Sequence, residues 1–526
     1  MPKVLISDEL SPAAVEIFRN RGIDVDFQPQ LGPDAAKLKE IIGKYDGLAI
    51  RSATKVKADI IAAATNLKVI GRAGIGVDNV DIPAATAKGI VVMNTPHGNS
   101  ITTAEHAIAL MFAAARQIGA ADSSTQAGKW EKNRFMGVEL YAKTLGLIGA
   151  GNIGSLVAER ALGLKMKVVA YDPFLSPERA MQLGVEKVEL DDLLKRADFI
   201  TLHTPLTDKT KNILSAEALA KTKKGVIIVN AARGGLVDEA ALRKALESEH
   251  VAAAAFDVFT VEPAKENPLF GAPNFIATPH LGASTNEAQE NVALQVAEQI
   301  SDYLLTGAVT NALNAPSVTA EEAPRLKPFV ALAEKLGAFA GQIADDGVEA
   351  IEIEYEGAVG DLNLKPLTAS VLAGILRPLM PDVNTVSAPT VLKERGTPML
   401  ESKRDASPIY DSLIRVKVQT GGKWRTLAGA VVAGQPKIVE VKMMQLEAAF
   451  HPVMLFINNS DKPGFIGALG TLLGEAGVNI ATFHLGRESQ GADAIALVGV
   501  DQVVPDAAIA KIKALPQVRY AKVLRV

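Results

Sequence analysis

Over residues 3–310, short apolar runs alternate with longer segments in which apolar residues recur at helical spacing. Val4–Ser7, Leu48–Ser52, Leu67–Arg72 and Gly89–Asn94 are continuous in branched and small apolar residues, the pattern of strands covered on both faces. Ser11–Arg21 reads as a helix, with Ser11 as N-cap and Pro12 at its first position. Strand and helix in alternation predict a parallel sheet wrapped by helices. A long apolar helix, Thr102–Ile118, interrupts the series, with Thr102 and Glu105 in capping-box spacing. The alternation then resumes through Thr144–Ile148, Val168–Tyr171, Phe199–His203, Val226–Asn230, Ala252–Asp257 and Phe275–Thr278. Ser284 is set to cap a further helix, Glu287–Leu305, with Glu287 in capping-box spacing.

The second series begins on a fingerprint. The strand Thr144–Ile148 runs straight into Gly149-Ala150-Gly151-Asn152-Ile153-Gly154, a helix follows, and a second strand ends at Asp172. Gly149 permits the tight turn, Gly151 lets backbone approach a pyrophosphate, and Gly154 lets helix pack on sheet. The helix start offers free N–H groups and a positive dipole end to phosphates. Asp172 can accept ribose hydroxyls and would repel a 2′-phosphate. No arginine is adjacent, so the cofactor read from these residues is NAD.

Composition narrows the class. The chain has 526 residues, 48% hydrophobic and 22% charged, which suits a globular protein of three or four domains. A net charge of −4 gives no argument for nucleic acid or an anionic membrane. There is no cysteine, which removes disulfides and thiolate metal sites. The N-terminus enters a strand directly and no apolar run is long enough to span a bilayer, so a cytoplasmic protein is expected.

Ligands on parallel sheets bind beyond the carboxyl ends of the strands, and three side chains leave successive ends there: Arg233, Glu262 and His280. Hydride exchange at a carbinol carbon needs a group that moves the hydroxyl proton, and histidine suits it. A carboxylate fixes the imidazole tautomer, and an arginine fork grips a substrate carboxylate. In the first series Arg51 and Arg72 also sit at strand ends and point to an anionic ligand. Gly74–Asn79 lacks a third glycine and reads as a close-approach loop facing the cleft. His203 is expected to line the adenosine side, whereas His97, His106, His250, His451 and His484 have no suitable neighbours in sequence and no metal-ligand spacing. The polar stretch Gly128–Gly137, with Trp130, Lys132 and Arg134, reads as an arm at a subunit contact.

Beyond Asn311–Pro328, a proline-containing linker, residues 329–450 read as an α/β unit. It holds the strand Ile351–Tyr355, the helix Pro366–Met380 and a hairpin of Leu413–Thr420 with Lys423–Val432 about Gly421-Gly422. An anion bound at Lys403, Arg404 and Lys437 is less expected than a solvated face. Residues 453–526 read β-α-β-β-α-β, a ferredoxin-like module.

These motifs resemble the D-2-hydroxyacid dehydrogenases. The matching stretches are Arg51–Val56, Gly71–Gly74 through Asp81, Gly128-Lys129-Trp130, the glycine fingerprint, Asn230–Gly235, Asp257–Phe259 with Glu262-Pro263, and Pro279–Thr285. Arg51 and Arg72 in their contexts favour the long-type branch of that family that acts on 3-phosphoglycerate. The resemblance implies a Rossmann-like NAD-binding domain, 101–285, inserted in a split flavodoxin-like substrate domain, 1–100 and 286–310. An intervening regulatory domain, 318–450, and an ACT domain, 453–526, follow. It implies oxidation of 3-phosphoglycerate to 3-phosphohydroxypyruvate with hydride passing to NAD, at the head of a route to L-serine. His280 is then the base, Glu262 its orienting partner, and Arg233 the holder of the substrate carboxylate. Arg51 and Arg72 face the substrate, and Asn152, Ile153, Asp172, Thr204, Ala231 and Asp257 touch NAD. Ile75 contributes its backbone where some relatives carry threonine. The Asp461-Lys462-Pro463-Gly464 loop resembles that of ACT modules, which implies L-serine as effector on Asn459, Asp461 and Asn479. A homo-oligomer, dimer or tetramer, is also implied. Two other readings stay open: another 2-hydroxyacid dehydrogenase, such as a hydroxypyruvate reductase, and an NAD-sensing binding protein that does not turn over.

Overall fold

The computed structural model describes residues 1–407 and 409–526. Four sheets are present among them. The first is five-stranded and parallel: Lys3–Ile6 is flanked by Asp24–Phe27 and Gly47–Ile50, and Val69–Arg72 and Val91–Asn94 complete it. The second is seven-stranded and parallel, with Thr144–Ile148 near its middle. On one side lie Lys167–Tyr171 and Glu186–Lys187. On the other lie Phe199–Leu202, Val226–Asn230, Val251–Phe256 and Phe275–Ala277.

Two helices cross between these sheets. Ser100–Arg116 leaves the first and buries Ala104, Ala107, Leu110 and Met111 against the second. Asn286–Thr306 returns, and its Val296 and Ile300 lie so close to the first sheet that a Cβ on Gly71 would stand 2.6 Å from each. Both helix starts differ from expectation. The outgoing helix begins at Ser100, so Thr102 and Glu105 lie inside it and form no capping box. Ser100 Oγ bonds Pro96 O instead, and Thr103 Oγ1 bonds Asn99 O. The returning helix is capped by Thr285, which accepts from Ala288 N, and not by Ser284.

The stretch taken for a linker is partly helical. Val309 and Val318 pair as an isolated bridge, and the helix Glu322–Gln342 then takes in both Pro324 and Pro328. Pro324 sits in the first turn, where no backbone N–H is owed a partner. Pro328 forfeits one bond, offset by burial of Ala323, Leu326, Leu332 and Leu336. That helix packs with Leu364–Leu376 on a six-stranded mixed sheet. The Gly421-Gly422 hairpin forms, both glycines having positive φ (+54° and +68°), as a two-residue turn of this hand requires. The last sheet, in the order Ile480–Arg487, Asp493–Val500, Val453–Ser460, Val518–Arg525, is antiparallel. Among the described residues no helix is long and apolar enough to cross a membrane.

Candidate active site

The glycine turn is fixed by close contacts. Gly149 has φ +94°, and a Cβ there would stand 2.5 Å from His203 O. A Cβ on Gly154 would stand 2.0 Å from Gly149 O, so only glycine lets the helix approach the strand. At Gly151 the space a Cβ would meet is open for 4 Å. Gly151 is the N-cap of the helix Asn152–Gly163 and offers no side chain to its first N–H groups, which leaves them for an anion. Asp172, just past the second strand, accepts Ala150 N through Oδ2 and Phe174 N through Oδ1, both at 2.8 Å. Its carboxylate is thereby tied to the turn and still has lone pairs for ribose. His203 lies half-buried beneath the turn, its Nε2 2.8 Å from Thr201 Oγ1, and desolvation of the ring pushes its pKa down to about 3. It is a neutral wall of the site. Thr204 and Ala231 follow neighbouring strands. These residues fit a dinucleotide.

The groups expected to transfer the proton lie at the next strand ends. His280 Nδ1 is 2.7 Å from Glu262 Oε2, and Glu262 Oε1 accepts Phe259 N at 2.9 Å. Burial raises the Glu262 pKa, but the hydrogen bonds from His280 and Phe259 outweigh it and hold the carboxyl below its ordinary range. His280 has φ +56°, a left-handed conformation held by its N–H to Asp257 O at 2.9 Å. Asp257 is fully buried. Its Oδ1 accepts Thr278 Oγ1 at 2.6 Å and Leu281 N at 2.7 Å, and its Oδ2 accepts Gly282 N at 2.8 Å. Expected as a cofactor contact, Asp257 organises the loop that carries His280.

Arg233 reaches the same place by a different brace. Asn230 Nδ2 bonds Arg233 O and Asn230 Oδ1 accepts Ala232 N, which closes the loop after its strand. A Cβ on Gly234 would stand 1.9 Å from Phe259 O, so the Arg233 and Glu262 loops are in direct contact. The guanidinium crosses to the other domain, where Nε meets Asp78 Oδ2 at 3.1 Å. Gly76 is what makes room for it: a Cβ there would stand 1.8 Å from Arg233 Nη2. The Gly74–Asn79 loop thus faces the cleft as expected. Asp78 is a site residue the sequence did not single out. Ile75 O already accepts Asn94 Nδ2 at 2.7 Å.

Arg72 lies behind this loop, with Gly74 against its guanidinium. Its Nε is buried without a partner, and no hydrogen bond or ion pair of its side chain occurs among the described residues. Burial, then Arg233 and Arg51, lower its pKa. An arginine stays charged at physiological pH regardless, so three cations outnumber the two carboxylates beside them, Asp78, paired with Arg233, and Asp8, and the site can take an anion. Arg51 Nη1 rests on Glu9 O at 3.1 Å.

The C-terminal residues behave differently. Asn459 is buried with Oδ1 unpartnered, and Asp461 Oδ2 takes Arg487 and Gly491 N. Asn479 bonds Asp501 at 2.6 Å. The register sets Asn459 opposite Ala494, itself opposite Arg487, whereas Ile480 lies opposite Val500. Asn479 is therefore at the other end of the sheet, roughly 20 Å away. The three do not converge within one chain.

A parallel sheet with the glycine fingerprint, an Arg, a Glu–His pair and a second parallel sheet across the cleft define a D-2-hydroxyacid dehydrogenase. Residues 108–282 match the model of the D-isomer specific 2-hydroxyacid dehydrogenase NAD binding domain. Residues 325–442 match the D-3-phosphoglycerate dehydrogenase intervening domain, and 453–517 an ACT domain. The D-3-phosphoglycerate dehydrogenase of Methanocaldococcus jannaschii is 41% identical over 526 residues, covering 100% of both chains. The chain belongs to the D-3-phosphoglycerate dehydrogenase family and is an NAD-dependent oxidoreductase. Among solved structures, the TT0316 protein of Thermus thermophilus is 35% identical with a TM-score of 0.55, covering 59% of this chain and 99% of its own. A NAD-dependent formate dehydrogenase of Staphylococcus aureus, in complex with NAD, is 27% identical with a TM-score of 0.54, covering 60% and 100%.

His106, set aside in the sequence for want of neighbours, has them: Nε2 is 3.2 Å from Asp257 Oδ1 and 3.3 Å from Thr278 Oγ1. No sequence signal links two positions so far apart in the chain.

Proposed function

We propose that this chain oxidises D-3-phosphoglycerate to 3-phosphohydroxypyruvate, with His280 taking the hydroxyl proton. The observation that supports it best is the unpartnered Arg72 beside Arg51 and Arg233, placed across the cleft from the His280–Glu262 pair. Arg233, anchored on Asp78, grips the substrate carboxylate and polarises the reacting oxygen. Arg51 and Arg72 take the phosphate end. Glu262 fixes His280 with its hydrogen on Nδ1, so Nε2 is free to accept the proton, and it stabilises the imidazolium that results. NAD bound at Gly149–Gly154 and Asp172 supplies the hydride acceptor. Asn152, Ile153, Thr204 and Ala231 line its place.

L-serine as effector is part of the same reading. Because Asn459 and Asp461 lie at the opposite end of the sheet from Asn479, a site built from all three takes one end from each of two ACT modules. Homo-oligomerisation is supported by exposed apolar side chains in the stretch between the outgoing helix and the strand Thr144–Ile148, among them Ile118, Trp130, Met136 and Tyr141.

The test is steady-state NADH absorbance with phosphorylated and unphosphorylated substrates, with and without serine. Equal kcat/KM for phosphoglycerate and glycerate would refute the phosphate assignment. His280→Ala should abolish nearly all turnover with NADH affinity kept, and preserved turnover would reject the base.

A further inference from the structure

We infer that His106 is a positioning residue for His280, acting through Asp257 from the helix that crosses between the two domains. The inference rests on His280 being the base. Three side chains on one face of the helix Ser100–Arg116 grip the loop that follows the strand Phe275–Ala277. Thr102 Oγ1 meets Thr285 Oγ1 at 3.3 Å, and Thr103 Oγ1, 2.8 Å from Gly282 O, shares its one hydrogen between that oxygen and Asn99 O. His106 Nε2 reaches Asp257 and Thr278. The spacing of 103 and 106 puts both over the same part of the loop.

The hydrogens can be assigned. Thr278 donates its hydroxyl proton to Asp257 Oδ1, and hydrogen bonds outweigh burial to hold Asp257 ionised, so it only accepts. His106 Nε2 faces two acceptors and must carry the hydrogen itself. His106 is also the one ion-pair partner Asp257 has among the described residues. A buried carboxylate without such a donor is costly. Here the same carboxylate holds Leu281 N and Gly282 N, while Asp257 O holds His280 N in its left-handed turn. The molecule therefore contains two imidazole–carboxylate pairs. Glu262–His280 faces the cleft, and Asp257–His106 stands behind it. The His106 end of the second pair is fixed to the helix that crosses between the domains, and the Asp257 end to the strand Val251–Phe256 of the nucleotide sheet. The orientation of the base is thereby tied to the seating of the crossing helix.

The experiment compares the full-length protein with His106→Ala and His106→Gln. Glutamine presents an N–H at similar reach. His106→Ala should lower kcat about ten-fold or more, as misplacement of a reacting group does, with the KM for phosphoglycerate and the NADH affinity within about two-fold. Amide exchange at Leu281 and Gly282 should accelerate in that variant, and His106→Gln should restore both kcat and protection. Full kcat in His106→Ala, or a glutamine variant as slow as the alanine one, would overturn the inference. Amide exchange is read without substrate, so unchanged protection in His106→Ala also overturns it, even if the wild-type protein proved inactive on phosphoglycerate.

Discussion

Replacing Arg72 by methionine should make the free protein more stable and the enzyme worse. Arg72 is half-buried, with its Nε fully buried and without a partner, and it sits beside two like charges. Of the two acids beside it, Asp78 is already paired with Arg233, and Asp8 accepts Arg51 N and Thr54 N. Methionine fills much of the same volume without a charge to desolvate. Exchanging buried ionic groups for well-packed apolar ones stabilises by about 1–4 kcal/mol, and each 1 kcal/mol raises the melting temperature of a cooperative unit of roughly 340 residues by about 1–2 °C. In the complex the sign reverses. Each hydrogen bond to a charged group contributes about 1.5–3 kcal/mol, so loss of the fork weakens phosphoglycerate binding by about 3 kcal/mol, roughly 100-fold. Arg72→Lys keeps the charge and loses the fork, so its KM should fall between. The assay is a melting curve without substrate together with KM for phosphoglycerate, using the NADH affinity as control. A lower melting temperature in Arg72→Met, or an unchanged KM, would refute the reasoning that this arginine is held unpaired for an incoming anion.

Asp172→Ala should raise the KM for NAD about ten-fold or more and improve NADP relative to NAD, because the carboxylate that excludes a 2′-phosphate is gone; paired cofactor titrations measure both. Glu262 is held below its ordinary pKa by His280 and Phe259 N, so its contribution is complete above the unfolded value and is lost as pH falls through the folded one. The melting-temperature gap between wild type and Glu262→Gln should therefore close as pH falls below about 4 and the folded carboxyl takes up its proton; a gap as large at about pH 3 as at about pH 5 contradicts this. In Gly234→Ala the new Cβ would meet Phe259 O, now only 1.9 Å from its place. Urea unfolding should show about 1–3 kcal/mol lost, and kcat should drop with it as the Arg233 and Glu262 loops part.

Where a residue's role depends on its own strand, the sequence was readable. The glycine turn, Asp172, Arg233, Glu262 and His280 all follow parallel strands, and period and punctuation locate those ends. Gly421-Gly422 was legible for the same reason, since two glycines between alternating runs admit the turn directly. The neighbouring hairpin was not. Gln435–Val441 and Met444–Ala449 turn at Lys442 and Met443, whose φ values of +49° and +65° carry no glycine signal. Met399–Arg404 is an exposed edge strand without apolar alternation, and it pairs only because Ala350–Gly357 supplies the template. The outgoing helix begins at Ser100 because Ser100 and Thr103 bond backward along the chain. Asn99, Ser100, Thr102 and Thr103 are all competent near a helix start, so composition alone did not choose. His106 and Asp78 act on partners far along the chain, and local pattern says nothing of them.

The distribution of apolar contacts divides the molecule unequally, and that division has a thermal signature. One continuous core runs from Val4 and Ile6 of the first sheet and Phe18 of the helix Pro12–Asn20 through Val296 and Ile300. It continues through Leu332, Leu336 and Ile353 to Met454, Phe456 and Leu524 of the last sheet. The nucleotide domain holds two cores of its own, built from residues 104–276 and flanking its sheet. The substrate sheet and the C-terminal third therefore share one cooperative unit, while the nucleotide domain is joined to it chiefly by the two crossing helices. Asn384 adds to the first linkage, its Nδ2 bonding Ala87 O at 3.1 Å. Scanning calorimetry should resolve two transitions. NADH at a hundred times its dissociation constant stabilises its domain by about 2.7 kcal/mol, a shift of about 5–10 °C for that size, and should move one transition far more than the other. A single transition that NADH moves as a whole would show that closure across the cleft, not the continuity of the core, sets cooperativity. Under the division described, an effector on the last sheet is coupled by packing to the sheet that carries Arg51 and Arg72, and reaches His280 through the crossing helices and the Arg233–Asp78 ion pair across the cleft.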